Sequence, residues 1–232
     1  MTLENLRISE SLRHNLNKLY RVPMDKLNCS FGVVTRQGHM PLKHIIETQA
    51  RAQKSNVVIL LATRRPGWGN CREIAQQLSD LAATDKRLGL VGILKKTPDN
   101  DDANVLEYHE NYFKYPLYMD DNWHVYKAMG GRTLTMDTLK AGVKMLMPRY
   151  KSKGIPMRFE GGDRFMMGGV LIFNRRGNLC FSYEEAYGEE LNMEVIKQAI
   201  EEIRSIDRSS RSGFSSSSSS FSVASEDEQR FL

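Results

Sequence analysis

The sequence has few cysteines and no long apolar run. Only Cys29, Cys71 and Cys180 occur among 232 residues. An odd, low count argues against a disulfide framework, and no basic region followed by an apolar block opens the chain, so no secretory signal is expected. No segment approaches the roughly 18 apolar residues of a membrane helix. We therefore expect a cytoplasmic protein without an integral membrane segment.

Concentrated charge and ligand motifs are missing as well. The formal charge is +5, but the basic residues are spread out and mixed with acids, whereas nucleic-acid binding usually produces a clustered basic surface. The five histidines form no short-spaced metal motif, and no glycine-rich phosphate loop is present. We therefore expect no nucleic-acid partner, no metal and no tightly bound cofactor in this chain.

Apolar patterning predicts alternating strands and helices. Helices are predicted over residues 42–52, 71–83, 101–112, 122–129, 136–147 and 192–203, and strands over 56–63, 88–94, 115–119, 170–173 and 179–183. Strand–helix–strand units followed by a hairpin and a helix predict an α/β fold, with a mixed sheet and helices on both faces.

Three segments follow from this pattern. Residues 1–40 are predicted to form an N-terminal helical extension, and residues 41–206 form the α/β domain. Residues 207–232 include six consecutive serines and few apolar residues. Because such a segment cannot offset the entropy of ordering, we expect a disordered serine-rich tail.

Cys71 has the setting that points most clearly to chemistry. It follows a buried apolar run and a Pro/Gly turn, and it opens a helical pattern. The positive end of a helix stabilises a thiolate, which is the reactive form of cysteine. We expect Arg65 and Arg72, with Arg64 nearby, to lower the pKa of Cys71 further. The alternative is an inert, buried cysteine at a helix start.

The residues around Cys71 resemble a known family. Arg-Arg-Pro-Gly-x-x-x-Cys-Arg-Glu at residues 64–73, Gly-Gly-Asp at 161–163, Met-Gly-Gly-Val-Leu-Ile-Phe at 167–173 and Tyr-Gly-Glu at 187–189 are similar to the peroxiredoxin-like 2 family of the AhpC/TSA group. The resemblance covers about residues 45–206. It implies a thioredoxin-like fold and thiol-based redox activity: antioxidant behaviour in some members, and NADPH-linked reduction of prostaglandin endoperoxides in others.

The sequence departs from that family at one position. Members commonly carry Cys-x-x-Cys after Arg-Arg-Pro-Gly, but Trp68 replaces the first cysteine here. In a dithiol cycle one thiolate attacks and the partner resolves the mixed disulfide, so this local cycle cannot close. Trp68 also stands where a peroxiredoxin has the threonine of Pro-x-x-x-Thr-x-x-Cys.

Several mechanisms stay open. Cys71 can act as a single cysteine that attacks a peroxide or lipid peroxide and is reduced by an external thiol, such as glutathione or a thioredoxin-like protein, or with NADPH. Cys180 or Cys29 can instead resolve the oxidised Cys71. The site can also be degenerate, leaving a binding module. Reduction of a prostaglandin-type lipid endoperoxide predicts an apolar pocket lined by Trp68 and methionines.

Three more residues are candidate substrate contacts. Trp68 can stack on a flat or lipid-like substrate at the mouth of the site, or cover the helix end as ordinary packing. Gly168 and Gly169 precede a strand where thioredoxins have a cis-proline, and they permit close approach of a substrate or serve a turn.

The Glu184–Glu185 pair is expected in a solvated loop.

Overall fold

A single seven-stranded sheet organises the part of the chain that the computed structural model describes, residues 31–33, 36–95, 102–120, 122–158 and 165–212. Its strand order is β2-β1-β5-β4-β3-β6-β7. The strands are β1 (Phe31–Val33), β2 (Arg36–Met40), β3 (Val57–Thr63), β4 (Leu88–Lys95), β5 (Leu117–Asp120), β6 (Gly169–Asn174) and β7 (Leu179–Glu184).

Six helices flank this sheet in the described residues. They are α1 (Leu42–Ala52), α2 (Gly69–Thr84), α3 (Asp102–Asn111), α4 (His124–Ala128), α5 (Met136–Ser152) and α6 (Met193–Ser212). None of the helices described is long and apolar enough to cross a membrane.

Strand β3 explains why helices cover both faces of the sheet. Its seven residues are all buried, and successive side chains of a strand point to opposite faces. Ile59 and Leu61 pack in a core with residues of α2, α3 and α6. Val58 and Leu60 pack in a second core with residues of α1 and α4. The continuous apolar run in the sequence is therefore a strand with two buried faces.

The connections reproduce the predicted fold class. Strand β3 pairs in parallel with β4 through the crossover helix α2, and β4 pairs in parallel with β5. Strand β6 runs antiparallel to β3 and forms a hairpin with β7, after which α6 returns to the sheet. A strand–helix–strand unit followed by a hairpin and a helix is the thioredoxin-like arrangement, so the α/β prediction is confirmed.

The structure differs from the sequence prediction at three places. Strands β1 and β2 form an antiparallel pair that joins the sheet through β5, so residues 31–33 and 36–40 are not helical. Helix α5 continues past residue 147 through Pro148 to Ser152, and α6 extends to Ser212, beyond the predicted end of the domain. Residues 1–30 and 213–232 lie outside the described residues.

Candidate functional site

Helix α2 places Cys71 at the carboxyl edge of the parallel strands. Strand β3 ends at Thr63, and a short turn leads to Trp68, whose extended backbone precedes the first residue of the helix, Gly69. The backbone N–H of Arg72 donates to the carbonyl of Trp68 at 3.0 Å and closes the first turn. Cys71 is therefore the third residue of α2, which begins two residues before the predicted start at Cys71. It lies in the first turn, at the helix end that favours negative charge.

Helix α5 covers this end of α2. A Cβ at Gly69 would lie 2.6 Å from the ring of Tyr150, so the glycine allows the tyrosine of α5 to pack directly on the α2 backbone. Cys71 is only 4% exposed. It packs with Trp68 and Leu139, and the partly buried side chains around them are Leu134, Val143, Met157, Phe165 and Tyr187.

Tyr187 completes the cover. Its ring occupies the space beside Gly142 that any Cβ there would need, and its hydroxyl donates to the Leu139 carbonyl at 3.1 Å. The ring also meets Trp68 edge-to-face, with 6.2 Å between centroids. Two glycine–tyrosine contacts, Gly142–Tyr187 and Gly69–Tyr150, thus hold α5 over the thiol.

Arg64 is the cation that acts most strongly on the Cys71 thiol. Its side chain is buried and donates to the Met166 carbonyl at 3.2 Å. The guanidinium lies 5.3 Å from the ring centroid of Trp68 and 5.5 Å from that of Tyr187. It lowers the pKa of Cys71 through its charge and a side-chain hydrogen bond. The residue that directly follows the last residue of β3, Thr63, is therefore the one that supports the thiolate.

Glu185 opposes that support. Its carboxylate is buried and lies 3.6 Å from the guanidinium of Arg64. Asn70 donates a short hydrogen bond to one carboxylate oxygen, and the backbone N–H of Gly168 donates to the other at 3.0 Å. The expectation that this acidic pair lies in a solvated loop was wrong for Glu185, because the end of β7 turns it into the site.

The net result is a thiol that stays protonated at rest. Burial raises the pKa of Cys71 most, and the charge of Glu185 raises it further. Arg64 and a hydrogen bond from the backbone of Arg65 act in the opposite direction without overcoming them, and the pKa is about 11. The expected lowering of this pKa was therefore wrong for the closed structure, since the sequence does not reveal burial by α5 or the position of Glu185.

Arg65 and Arg72 do not have the predicted roles. Arg65 assists the thiol through its backbone N–H, while its guanidinium lies 5.2 Å from the ring centroid of Trp68. Arg72 turns toward α3 and the neighbouring loops. Its guanidinium donates to the Pro66 carbonyl at 3.0 Å and pairs with Glu107 at 3.1 Å. Arg72 thus holds the turn before the helix and does not reach the thiol.

The three candidate substrate contacts are packing residues in this structure. Trp68 is 1% exposed, so it covers the helix end and offers no open mouth. A Cβ at Gly168 would collide with the Ala62 carbonyl, and one at Gly169 with the carbonyl of Tyr183 and the end of Met129. Gly168 and Gly169 therefore permit close approach of neighbouring strands, and this close approach brings Glu185 to Arg64.

The second cysteine of the described residues lies away from the site. Gly169, at the site end of β6, pairs with Glu184, and Cys180 is four residues earlier on β7, about 13 Å along the strand. A disulfide needs Cα atoms within about 7 Å. The structure therefore does not place Cys180 as a resolving cysteine for Cys71, and both thiols are free. Cys29 lies outside the described residues.

A charge network around the buried carboxylate of Glu73 ties α5 to α2 beside the site. Arg149 of α5 contacts the carboxylate of Glu73, which is 3% exposed, and Lys153 pairs with the same carboxylate. Arg149 also donates to the Gly188 carbonyl at 3.0 Å. Glu73 follows Cys71 by two residues, so the covering helix is anchored directly to the first turns of the helix that carries the thiol.

Sequence reasoning named the thiol but missed its closest partners. Arg64 was noted only as nearby charge, although it directly follows the last residue of β3, where a parallel strand delivers side chains to the carboxyl edge. Glu185 and Tyr187 gave no comparable signal, because their position depends on how the segment after β7 folds back over α2.

Comparisons with known proteins agree with this arrangement. The family model described as AhpC/TSA antioxidant enzyme matches residues 73–186, a segment that begins just after Cys71. Peroxiredoxin-like 2A of Bos taurus is 27% identical over 155 residues, which cover 65% of this chain and 69% of the relative. Prostamide/prostaglandin F synthase of Xenopus tropicalis is 27% identical over 157 residues, which cover 63% of this chain and 75% of the relative.

Among solved structures, a mutant of peroxiredoxin 6 of Arenicola marina matches with a TM-score of 0.47 and 13% identity, over 79% of this chain and 70% of that one. The family model, the curated relatives and the thioredoxin-like topology agree. Together they support a peroxiredoxin-like 2 family protein with a thioredoxin-like fold.

Proposed function

We propose that this protein is a thiol-dependent peroxide reductase that uses Cys71 as its single redox cysteine. The observation that carries the proposal is the burial of the Cys71 thiol together with the Arg64 guanidinium at the N-terminus of α2. A cation is costly to bury for stability alone, and a cation beside a cysteine favours the thiolate. The family adds support for a redox-related role.

The proposed reaction has two stages. The Cys71 thiolate attacks one oxygen of a peroxide, the O–O bond breaks, and the products are a sulfenic acid on Cys71 and an alkoxide or hydroxide that takes up a proton. An external thiol, such as glutathione or a thioredoxin-like protein, then forms a mixed disulfide with Cys71 and releases water. A second thiol displaces Cys71 as a free thiol, and the external reductant leaves as a disulfide.

The closed structure sets one condition on this reaction. Cys71 is covered by α5, Trp68 and Tyr187, and its pKa of about 11 keeps it protonated near neutral pH. A peroxide can reach the thiol only when part of this cover moves. The same movement admits water and lessens the desolvation that dominates the raised pKa.

The test is to trap the sulfenic acid. A Cys29→Ser/Cys180→Ser variant is treated with a small excess of hydrogen peroxide or a lipid hydroperoxide, then with a sulfenic-acid-specific reagent, and the adduct is located by mass spectrometry. We expect labelling at residue 71 that rises with peroxide. Adding Cys71→Ser provides the control. Absence of an adduct on a folded protein, with both peroxides, would reject the proposal.

A non-catalytic binding module is the second candidate. The observations that favour it are the burial of Cys71, its raised pKa and the tryptophan in place of the first cysteine. A partner that binds Cys71→Ala as well as it binds the parent, together with no peroxide chemistry in the parent, would establish this role.

Reduction of a lipid endoperoxide is the third candidate, because one curated relative is a prostamide/prostaglandin F synthase. The side chains around Cys71, including Leu139, Val143 and Phe165, are apolar and suit a lipid if the cover opens. Turnover of a prostaglandin-type endoperoxide with NADPH or a thiol, lost in Cys71→Ser, would select this substrate over hydrogen peroxide.

A further inference from the structure

We propose that Glu185 is a positioning residue that competes with the Cys71 thiolate for the Arg64 guanidinium and so keeps the thiol protonated until the covering segment moves. The inference rests on the proposed function, because it explains how a thiol that reacts with peroxide is held inactive at rest. It adds a regulatory contact that comes from the segment after β7, distant in sequence from the cysteine.

Arg64 lies beside two groups that can carry a negative charge. One is the carboxylate of Glu185, 3.6 Å from the guanidinium. The other is the thiolate of Cys71, to which Arg64 supplies a hydrogen bond and a charge. Arg64 is 1% exposed and Glu185 is 4% exposed, so water screens neither interaction strongly. An arginine that interacts with both a fixed carboxylate and a thiolate stabilises the thiolate less than an arginine whose only anionic partner is the thiolate.

Glu185 is held in its place by contacts that require an acceptor. Asn70, the residue before Cys71, donates to one oxygen, and the backbone N–H of Gly168 donates to the other. The close approach of Gly168 to β3 allows the second bond, because a larger residue would push the loop away. The carboxylate is thus positioned toward Arg64 and is not simply trapped by packing.

The position of Glu185 also links its movement away from Arg64 to the opening of a path to the Cys71 thiol. Tyr187 is two residues further along the same segment, and its ring covers Arg64 and Trp68. Displacement of Tyr187 from its place beside Gly142 by an entering substrate would pull on Glu185. One movement would then uncover the thiol and free Arg64 to stabilise the thiolate.

Other titratable groups around the thiol do not share this arrangement. The turn before α2 contributes Arg64 and Arg65, and α2 itself contributes Arg72 and Glu73. The neighbouring helices contribute Tyr108 of α3, Tyr126 of α4, and Arg149 and Tyr150 of α5. The segment after β7 contributes Glu185 and Tyr187. Glu73 is already paired with Arg149 and Lys153. Glu185 is therefore the carboxylate whose removal should change the thiol most.

The test is a titration of Cys71 in a Cys29→Ser/Cys180→Ser background, read from the carbon NMR shift of labelled cysteine Cβ, which requires no reagent to enter the site. Glu185→Gln keeps the size of the side chain and an oxygen that can accept from the backbone N–H of Gly168. We expect it to lower the Cys71 pKa by at least about one unit, equivalent to about tenfold more thiolate at a given pH well below both pKa values.

Glu184→Gln is the matched control. Glu184 is the adjacent residue and pairs with Arg132 at 3.2 Å. Arg132 also donates to the backbone carbonyl of Glu185 at 3.1 Å, and Glu184→Gln keeps that contact, so this variant should leave the Cys71 titration unchanged. A folded Glu185→Gln protein whose Cys71 pKa is unchanged or higher would overturn the proposal. If Glu185→Gln does not fold, Glu185→Asp withdraws the carboxylate by one methylene, and a smaller decrease is expected. An unchanged or higher value there would equally overturn it.

The outcomes separate this inference from the proposed function. A lower pKa in Glu185→Gln without any sulfenic acid in the peroxide experiment would retain the competition for Arg64 and reject peroxide reduction. Sulfenic acid in the parent without a shift in the variant would do the reverse.

Discussion

The apolar cores and the region around Cys71 are equally buried but contain different groups. Leu60 and Ile172 are fully buried among aliphatic and aromatic side chains, and each contributes about 1.5–3 kcal/mol by leaving water. The Cys71 region buries Arg64 and Glu185, and a buried ion pair is often no better for stability than apolar residues of the same size. The difference teaches that the cores account for the fold, whereas the buried charges require a functional explanation.

Removing one member of the buried pair should have the largest effect. Arg64→Leu leaves Glu185 buried without its cation, and we expect a loss of about 3–5 kcal/mol in the free energy of unfolding, measured by urea denaturation. The matched control is Arg175→Leu. Its partner is Asp207 at 3.6 Å, both side chains are more exposed than Arg64 and Glu185, and the loss should be at most about 1 kcal/mol. Equal losses would remove the distinction between the two regions.

Creating a cavity in the apolar core should destabilise the fold without changing the thiol. Leu60→Ala should cost about 2–5 kcal/mol, because Leu60 is fully buried on the face shared with α1 and α4. The Cys71 titration should stay unchanged. Leu106→Ala, at a side chain that is 56% exposed, is the control with little expected loss. A shifted Cys71 pKa in Leu60→Ala would mean that the core and the site are coupled.

Adding a side chain at Gly142, where the Tyr187 ring packs against α5, should have an intermediate effect on stability. In Gly142→Ala the new methyl group meets the tyrosine ring, and overpacking of this kind costs about 1–3 kcal/mol, offset by up to about 1 kcal/mol from the better helix propensity of alanine. We expect a lower melting temperature and faster alkylation of Cys71. Lys140→Ala, on the exposed side of α5, should show neither change.

A smaller effect is expected at the far end of α2. Burial opposes ionisation of Asp85, but hydrogen bonds from Arg204 and the backbone of Arg87 outweigh it and hold the pKa of Asp85 below its usual range. Its contribution to stability is therefore complete above the unfolded value of about 3.9 and disappears as the pH falls through the lower, folded value.

Asp85→Asn should lose about 1 kcal/mol at neutral pH and should show a smaller further loss below about pH 4. Urea denaturation as a function of pH measures both. Glu201→Gln, which removes the more exposed partner of Arg204, should show a weaker effect. An unchanged acid profile in Asp85→Asn would contradict the lowered pKa.

The smallest effect is expected at Cys180. Since Cys180 lies at the opposite end of β7 from the site, Cys180→Ser should leave the yield and lifetime of the Cys71 sulfenic acid unchanged after peroxide treatment. A longer lifetime in the variant would indicate that Cys180 does resolve Cys71 through a rearrangement of the hairpin.

The sequence predicted those elements whose pattern is local. Helix α1 was predicted over residues 42–52 because Leu42, Ile45 and Ile46 form an apolar stripe, and the structure has the same bounds. The short strands β1 and β2 were missed because segments such as Arg-Gln-Gly-His-Met show no apolar alternation. Their pairing depends on β5, which is distant in sequence.

The site was predictable only in part for the same reason. The apolar run, the turn and the helical pattern fixed Cys71 at the start of α2. The direction in which Arg64 and Arg72 point depends on partners such as Glu107 and Met166, and these are contributed by other elements. The helix was predicted to end at residue 147, yet α5 continues through Pro148 and carries Arg149 and Tyr150 to the site.

The two glycine–tyrosine contacts of α5 also fix the rotation and the axial position of this helix relative to its neighbours. Gly142 receives Tyr187, and eight residues later Tyr150 rests on Gly69. These positions are about 12 Å apart along the helix axis. A shift of α5 by one residue would rotate it by about 100°, place Ala141 or Val143 beneath the Tyr187 ring and turn Tyr150 away from Gly69. Single-residue insertions between residues 142 and 150 should therefore be tolerated far less than insertions in the loops at either end of the helix.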